Sequence, residues 1–285
     1  MRFLAFSVDG QEGLAVVGNN GEHVGLLAND PQYPGSLSEL VAAGGEGLSR
    51  AGAVLLEGQQ IDIDKVKVLP PLPRPNKIFC LGLNYAEHAA EGGFEPPPYP
   101  TVFARFASSL IGHNEPIVCP TVSHMLDYEG EFVAVIGKGG RNIEKADALG
   151  HVIGYAVFND ASIRDYQLIT PQWTIGKNFD DTGAFGPYFV TADELAPGAV
   201  GLHIETRLNG EVVQSASTDD LIFDVATTVS LLSVPITLDA GDIIVMGTPS
   251  GVGHARKPPL YMKAGDVCEV EVEGMGVLRN PIVNQ

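Results

Sequence analysis

Two glutamates, Glu129 and Glu131, stand two residues apart inside an apolar run that covers residues 126–137. The run is rich in β-branched and aromatic residues, which predicts a strand. Because side chains alternate along a strand, both carboxylates are expected on one face, with Cα atoms about 6–7 Å apart. Their repulsion is relieved either by solvent at an exposed edge or by a divalent cation with oxygen ligands. The pair alone leaves both interpretations open.

Asp160 offers a third carboxylate. It lies at the carboxyl end of a strand predicted for residues 151–158. It is either another oxygen ligand for the same cation or the N-cap of a helix predicted to follow it, because aspartate is favoured at both positions.

His88 and Glu91 stand three residues apart on a helix predicted for residues 84–91. Residues with this spacing are neighbours on one helix face. A carboxylate beside a histidine raises its basicity and fixes its tautomer, which suits a general base for water. The same spacing is also typical of an ordinary surface pair.

Two cations interrupt apolar runs, Arg105 within 102–106 and Lys177 within 173–180. An inward-facing cation needs an anionic partner, whereas an outward-facing one extends to the surface. The glycine-rich segment 247–253 offers backbone N–H groups and a hydroxyl for an oxyanion or carboxylate. It lacks a P-loop lysine and does not fit GxGxxG, which argues against nucleotide binding.

The composition narrows the class of protein. The 285 residues are 45% hydrophobic and carry a net charge of −18, which predicts a globular chain with no nucleic-acid or membrane partner. Local cations or a metal are therefore needed if the substrate is a small anion. The cysteines Cys80, Cys119 and Cys268 have no CxxC spacing, and the first apolar run is short for a signal peptide or membrane span. A cytoplasmic location is expected.

The chain is predicted to divide into a small N-terminal α/β domain, residues 1–70, and a second domain, residues 71–285. Strands are expected at 2–8, 12–17 and 23–27, with short helices at 36–43 and 47–53. Proline-rich residues 69–75 predict a stiff connector. Further along, the sequence predicts a helix-like crossover at 142–148, a hairpin turning at Asn209-Gly210, a helix at 221–232, and two Gly-Asp turns that lead into strands.

Taken in order, these motifs resemble the fumarylacetoacetate hydrolase family. The matching residues are Asn84-Tyr85 with His88 and Glu91, Glu129-x-Glu131, Asn159-Asp160 with Arg164, Asp165 and Gln167, Trp173-Thr174 with Lys177, and the segment 247–253. The resemblance covers about residues 77–285. It implies an α+β, mostly β fold, a mixed β-sandwich roll resembling a barrel, preceded by the small N-terminal α/β domain and assembled as a homodimer.

The resemblance also implies roles for the site residues. Glu129, Glu131 and Asp160 would bind Mg²⁺, with Mn²⁺ or Ca²⁺ as possible substitutes. His88 and Glu91 would activate water on a lid that includes residues 92–99, and Lys177 would stabilise developing negative charge. Substrate contacts would come from Tyr85, Arg105, Gln167 and Thr248. Arg105 stands where many members of the family carry lysine.

The activity implied is metal-dependent hydrolysis of the C–C bond of a 2,4-dioxo acid to pyruvate and a carboxylic acid. Fumarylpyruvate and maleylpyruvate from aromatic catabolism, or a sugar-derived 2,4-diketo acid, are the candidate substrates, and the acyl group stays open. Decarboxylation of oxaloacetate and isomerisation of a 2-hydroxyhepta-2,4-diene-1,7-dioate are alternatives on the same metal site. A non-catalytic 2-oxo-acid binder is a further alternative.

Overall fold

The computed structural model describes residues 1–91 and 98–285, and for residues 89–91 it describes the backbone alone. The N-terminal elements are β1 (Arg2–Val8), β2 (Gln11–Val17), β3 (His23–Leu27), α1 (Leu37–Leu55), β4 (Gln59–Ile61) and β5 (Lys67–Val68). The three predicted strands are confirmed. The two predicted helices are also confirmed, since Gly44 breaks α1 with φ 79° and ψ −174°.

The remaining elements show a mostly β, α+β fold, as predicted. They are β6 (Ile78–Gly82), α2 (Ala86–Glu91), β7 (Thr101–Ala104), β8 (Leu110–Ile111), β9 (Ile117–Cys119), β10 (Leu126–Asp127), β11 (Gly130–Ile136), β12 (Val152–Asp160), β13 (Ser162–Ile163), α3 (Arg164–Gln167), β14 (Gly183–Thr191), β15 (His203–Leu208), β16 (Glu211–Ser217), α4 (Val225–Ser233), β17 (Ile243–Val245), β18 (Val267–Val272) and β19 (Gly276–Asn284). In the described part, no helix is long and apolar enough to cross a membrane.

A twelve-stranded sheet dominates the described residues. Ten strands run in the order β4-β3-β2-β1-β14-β12-β11-β17-β6-β7, while β5 pairs with β1 and β8 with β14. The N-terminal strands join the other strands through the antiparallel pair β1–β14. They therefore extend one continuous sheet, and the division at residue 70 stays a prediction.

A second sheet, ordered β16-β15-β18-β19-β9, closes the core over β11 and β12. Strand β11 is buried on both faces. Phe132 and Ala134 pack toward the second sheet, whereas Val133 and Val135 belong to the core beneath α1. This two-sided burial explains why the run lacks apolar–polar alternation.

The strand predicted for 126–137 is interrupted, which corrects the sequence analysis. Strand β10 ends at Asp127 and pairs with β13, whereas β11 begins at Gly130 and pairs with β12 and β17. The chain therefore leaves one ladder and enters another at Tyr128 and Glu129. Glu131 lies on a strand, while Glu129 lies in the junction.

Three helix predictions also need correction. Residues 142–147 form no α-helix, and Asn142 has a φ of 52°, which is outside the helical region. The helix after Asp160 is reduced to α3 because residues 162–163 pair with β10 instead. Helix α4 begins at Val225, where Asp224 accepts a hydrogen bond from the Thr227 amide at 2.6 Å. The Asn209-Gly210 turn is confirmed, with φ 55° and 82°.

Candidate active site

The three predicted metal ligands lie together. Glu129 comes from the junction before β11, Glu131 from β11 and Asp160 from the end of β12, and antiparallel pairing of the two strands makes them neighbours. One carboxylate oxygen from each lies within 4.8 Å of the others. The residues are 5%, 1% and 0% exposed, which excludes the solvated edge pair.

Asp160 does not cap a helix. The residue at the N-cap of α3 is Ile163, which makes no side-chain capping bond. The carboxylate of Asp160 instead contacts Arg105 and Lys177. Of the two interpretations left open by the sequence, the structure supports a place beside Glu129 and Glu131, in a group of carboxylates that we call the acidic cluster.

Lys177 bridges two of the carboxylates. Its Nζ lies 2.6 Å from Glu129 Oε2 and 2.7 Å from Asp160 Oδ2, and the side chain is 1% exposed. The ammonium also lies 4.9 Å from the centroid of the Phe103 ring. Burial opposes the charged form, but Asp160 and Glu129 raise the pKa of Lys177 above its ordinary value. Lys177 is therefore charged, and the alternative of surface exposure is excluded.

Arg105 lies behind Asp160 rather than in a cavity wall. Its Nη1 donates to Asp160 and to the Ala161 carbonyl, and Nη2 donates to Thr182 Oγ1 at 2.7 Å. Its Nε donates to Ser109 Oγ at 3.2 Å. These contacts correct the predicted role in substrate binding, because the guanidinium is used to orient a carboxylate of the acidic cluster.

The two glutamates differ in their electrostatic environments. Burial alone would raise the pKa of Glu129, but Lys177, Arg164 and His88 lower it to about 2. Glu131 accepts a hydrogen bond from the Gly247 amide. Burial, followed by repulsion from Asp160 and Glu129, raises its pKa well above the ordinary value. Glu131 is thus the carboxylate whose charge the protein leaves least compensated.

This donor set fits a hard divalent cation. The cluster offers carboxylate oxygens and no sulfur or imidazole ligand within the described part, as Mg²⁺ and Mn²⁺ prefer. The buried charged groups here are four carboxylates and three cations: Asp127, Glu129, Glu131, Asp160, Arg105, Arg164 and Lys177. Their sum is one negative charge, so a divalent ion would make the cluster positive and attractive to an anionic substrate.

A cavity of about 150 Å³ opens over the cluster. Among the predicted residues, its walls include Glu129, Glu131, Lys177, His88, Gln167 and Thr248. Its apolar walls include Leu81, Phe103, Leu168, Trp173 and Val252. The structure therefore brings the predicted base, the predicted lysine and two predicted substrate contacts to one space.

Three other predictions, for Tyr85, Glu91 and the lid, have different outcomes. Tyr85 is 1% exposed and outside the cavity wall, and its hydroxyl has no hydrogen-bond partner in the described part. Burial, then the charges of Glu131 and Asp220, raise its pKa. Only the backbone of Glu91 is described, in α2, so its pairing with His88 stays a prediction. Of the predicted lid, residues 92–97 lie outside the described residues.

Thr248 and Gln214 support the backbone between the two glutamates. Thr248 Oγ1 donates to the Gly130 carbonyl at 3.0 Å and accepts from Gln214 Nε2 at 2.8 Å. Gln214 Oε1 accepts from the Gly130 amide at 2.9 Å. A Cβ at Gly130 would lie 2.0 Å from Thr206 Oγ1, so glycine permits this close approach. Gln214 gave no signal in the sequence because it comes from the distant strand β16.

Arg164 is the main functional candidate that sequence reasoning did not assign to the site. Its Nη1 lies 2.6 Å from Glu129 Oε1 and 2.8 Å from Gln167 Oε1, and its Nε donates to Asp127 Oδ2 at 2.8 Å. Its Nη2 is buried and has no partner in the described part. Because Arg164 lines the cavity, this donor is suited to an anionic ligand. Its place in the quoted motif was the available signal.

Comparisons with known proteins identify the family of this chain. The family model described as fumarylacetoacetate (FAA) hydrolase C-terminal matches residues 77–283. The mitochondrial oxaloacetate tautomerase fahd2 of Xenopus laevis is 39% identical over 269 residues, which span 93% of this chain and 84% of that protein.

Two solved structures share the whole architecture. The fumarylacetoacetate hydrolase of psychrophilic Exiguobacterium antarcticum has a TM-score of 0.86 at 35% identity, with 100% of both chains covered. Maleylpyruvate hydrolase from Sphingobium sp. SYK-6, solved with manganese(II) and pyruvate, has a TM-score of 0.81 at 27% identity, covering 100% of this chain and 99% of that one. The chain belongs to the fumarylacetoacetate hydrolase family.

Proposed function

We propose that this chain is a divalent-metal-dependent enzyme that interconverts the keto and enol forms of oxaloacetate. The observation that carries the proposal is the acidic triad beside Arg164 Nη2, a buried donor without a partner in the described part. Together they suit a 2-oxo acid, whose carboxylate and keto oxygens lie side by side. The choice of oxaloacetate is supported by the similarity to the Xenopus laevis tautomerase.

The proposed ion is Mg²⁺ or Mn²⁺, held by Glu129, Glu131 and Asp160. When bound, it would supply Lewis-acid polarisation of the 2-oxo group. The acidic triad and the manganese-bound relative support a divalent metal, while the preference for Mg²⁺ is part of the proposal.

The protein's own groups have separate tasks in this reaction. Keto–enol interconversion moves a proton between C3 and the 2-oxo oxygen, and His88 in the cavity wall is placed to carry it. The Lys177 ammonium stabilises negative charge on the 2-oxo oxygen. Arg164 orients the adjacent carboxylate through Nη2. The Trp173 and Phe103 rings, 5.7 Å apart, keep water from one wall.

Hydrolysis of a 2,4-dioxo acid is the second candidate. It is favoured by the position of His88 in the cavity, since the same imidazole can deprotonate water when Glu91 orients it. The similarity to maleylpyruvate hydrolase supports it as well. In this alternative His88 takes a proton from water and the resulting hydroxide attacks the 4-oxo carbon. The bond between C3 and C4 then breaks, and C3 takes up the proton from His88, which releases pyruvate and a free acid, as in aromatic catabolism.

One set of assays separates these activities. Purified protein is supplied with oxaloacetate or with fumarylpyruvate and maleylpyruvate, in Mg²⁺, Mn²⁺ or EDTA. Loss of enol absorbance is followed together with pyruvate and CO₂. EDTA-sensitive acceleration of oxaloacetate interconversion, without CO₂, is expected. Pyruvate and CO₂ from oxaloacetate would instead mean decarboxylation, and pyruvate with a matching acid would mean hydrolysis.

Arg164→Gln tests the observation behind the proposal. Loss of the charge-assisted contact should raise KM for oxaloacetate by about tenfold or more. Arg50→Gln is the control, because Arg50 is a 75% exposed side chain on α1. Equal KM values for the two variants would contradict the role given to Arg164.

We also propose a homodimer and a cytoplasmic location. Exposed apolar side chains support association, among them Phe106, Ile169 and Ile175, which are 54%, 70% and 64% exposed. Light scattering after size exclusion should give twice the chain mass of 30.1 kDa, and a monomer over a wide concentration range would contradict it. Cell fractionation tests the location.

A further inference from the structure

His254 is a titratable residue of the cavity that the proposed reaction does not use. It follows the glycine-rich segment and is one of the residues that line the cavity. The imidazole Nδ1 lies 2.8 Å from the Tyr261 hydroxyl, and the two ring centroids are 6.2 Å apart. This contact holds the ring by one nitrogen and leaves Nε2 for a ligand.

The backbone of His254 is fixed by the carboxylate that also fixes Arg164. Asp127, which is 0% exposed, accepts from the His254 amide at 2.9 Å and from Arg164 Nε at 2.8 Å through the same oxygen, Oδ2. Its other oxygen accepts from the Gly253 amide at 2.8 Å. One buried carboxylate thus contacts both Arg164, which contacts Glu129, and the backbone of His254.

The two residues differ in depth. Arg164 is 6% exposed and contacts the acidic cluster, whereas His254, another lining residue of the cavity, is exposed. The same cavity also has apolar lining residues, among them Phe103, Trp173 and Val252. A second carboxylate on a bound 2-oxo acid would need a hydrogen-bond donor there, since an unpaired charge against apolar walls is costly. The chain's net charge of −18 increases this need.

We propose that His254 is a specificity-determining residue that binds the second carboxylate of a four-carbon dicarboxylic 2-oxo acid. In the required tautomer, the Tyr261 hydroxyl donates to Nδ1 and the Nε2 proton is donated to the substrate. The role of Tyr261 is positioning, because it holds the ring. This inference rests on the proposed function for the opposite end of the substrate, where the acidic cluster binds the 2-oxo acid.

The test uses binding of unreactive ligands. Malate and 2-hydroxybutyrate share a 2-hydroxy acid end and four carbons, but in malate a carboxylate replaces the terminal methyl group. Trp173, the single tryptophan of the chain, lines the cavity and reports binding through its fluorescence. Both ligands are titrated into Mg²⁺-loaded protein, and the ratio of the two Kd values is the readout.

His254→Val should weaken malate binding about tenfold and change 2-hydroxybutyrate binding by less than about twofold. Tyr261→Phe should weaken malate alone, by about threefold, because the ring stays but loses its anchor. His203→Val is the matched control, since His203 is an exposed histidine that also contacts a hydroxyl, Ser215 Oγ at 2.9 Å. It should leave both Kd values unchanged.

The possible outcomes separate this inference from the proposed function. Equal losses for both ligands, no loss for either, or failure of wild-type protein to bind either ligand would overturn the role of His254. Selective loss of malate binding in a protein that does not interconvert oxaloacetate would support His254 and refute the proposed reaction. Rapid interconversion of oxaloacetate by His254→Val, with KM unchanged, would support the proposed reaction and refute the role of His254.

Discussion

Replacing Glu131 by glutamine should have opposite effects on the metal-free and metal-loaded protein. Glu131 is 1% exposed, accepts one hydrogen bond from the Gly247 amide, and lies within 4.8 Å of oxygens of Glu129 and Asp160. The glutamine carbonyl can keep that hydrogen bond. The substitution therefore removes a repelling charge with little loss of contact, but it also removes a predicted metal ligand.

The magnitude follows from Coulomb's law. Two unit charges 4.8 Å apart repel by about 3.5 kcal/mol at an effective dielectric constant of 20. Attraction to Lys177 offsets part of the repulsion of Glu131 by Glu129 and Asp160. We therefore expect the free energy of unfolding of the metal-free Glu131→Gln variant to be about 2 kcal/mol higher than that of the wild type. This raises Tm by about 4–8 °C. Metal at 100 times the wild-type Kd should raise the free energy of unfolding of the wild-type protein by about 2.7 kcal/mol, whereas it should not raise that of the variant.

The pH dependence has a definite sign. Because the folded-state pKa of Glu131 is raised above its ordinary value of 4.5, this group stabilises the metal-free protein at low pH. That contribution is lost as pH rises from about 4.5 toward the raised pKa. The variant should lack this part of the decline.

Thermal unfolding in EDTA and in Mg²⁺, at about pH 5 and about pH 8, checks all three expectations. Asp242→Asn is the control, because Asp242 is also fully buried but is compensated by Lys77, whose Nζ lies 3.0 Å from its carboxylate. This control should lower Tm in both conditions. A lower Tm for Glu131→Gln in EDTA would mean that its carboxylate does not destabilise the metal-free protein, and a normal metal response in that variant would mean that Glu131 is not a metal ligand.

Further substitutions test separate parts of the site. Gly130→Ala should lower the free energy of unfolding by about 1–3 kcal/mol and weaken metal binding, since the new Cβ would meet Thr206 Oγ1 at 2.0 Å. Gly45→Ala is its control, because a Cβ at Gly45 meets nothing within 4 Å. Equal Tm values for the two variants would contradict this expectation. His88→Ala should lower kcat about 10²-fold or more with metal affinity little changed, as measured by steady-state kinetics and metal titration. Activity within a few-fold of wild type would mean that His88 is not the base. Arg105→Lys should weaken metal binding because lysine cannot reproduce the guanidinium's fork, while KM at saturating metal stays unchanged; a raised KM would restore Arg105 to substrate binding.

Local patterns were sufficient for several elements, whereas the acidic triad needed the family resemblance. The strand at residues 2–8 was predictable from its own residues, as was the turn at Asn209-Gly210, where both φ angles are positive. The resemblance to the family predicted Glu129, Glu131 and Asp160 as metal ligands. Their shared location then follows from the pairing of β11 with β12.

Non-local contacts decided what the sequence did not reveal. The break before Gly130 arises because β10 and β11 pair with different strands, which no local pattern encodes. The Asp127–Arg164 ion pair spans 37 positions, and the partner of Arg105 lies 55 positions away. Sequence alone gave the charge of Arg105 and its need for an anion. It could not distinguish a substrate carboxylate from Asp160.

Anomalous diffraction from crystals grown with Mn²⁺ would show directly whether the acidic triad binds a divalent metal. We expect one strong peak among the carboxylates of Glu129, Glu131 and Asp160, with the Lys177 ammonium displaced from between Glu129 and Asp160. Absence of a peak at saturating Mn²⁺, with Lys177 still bridging the two carboxylates, would contradict it.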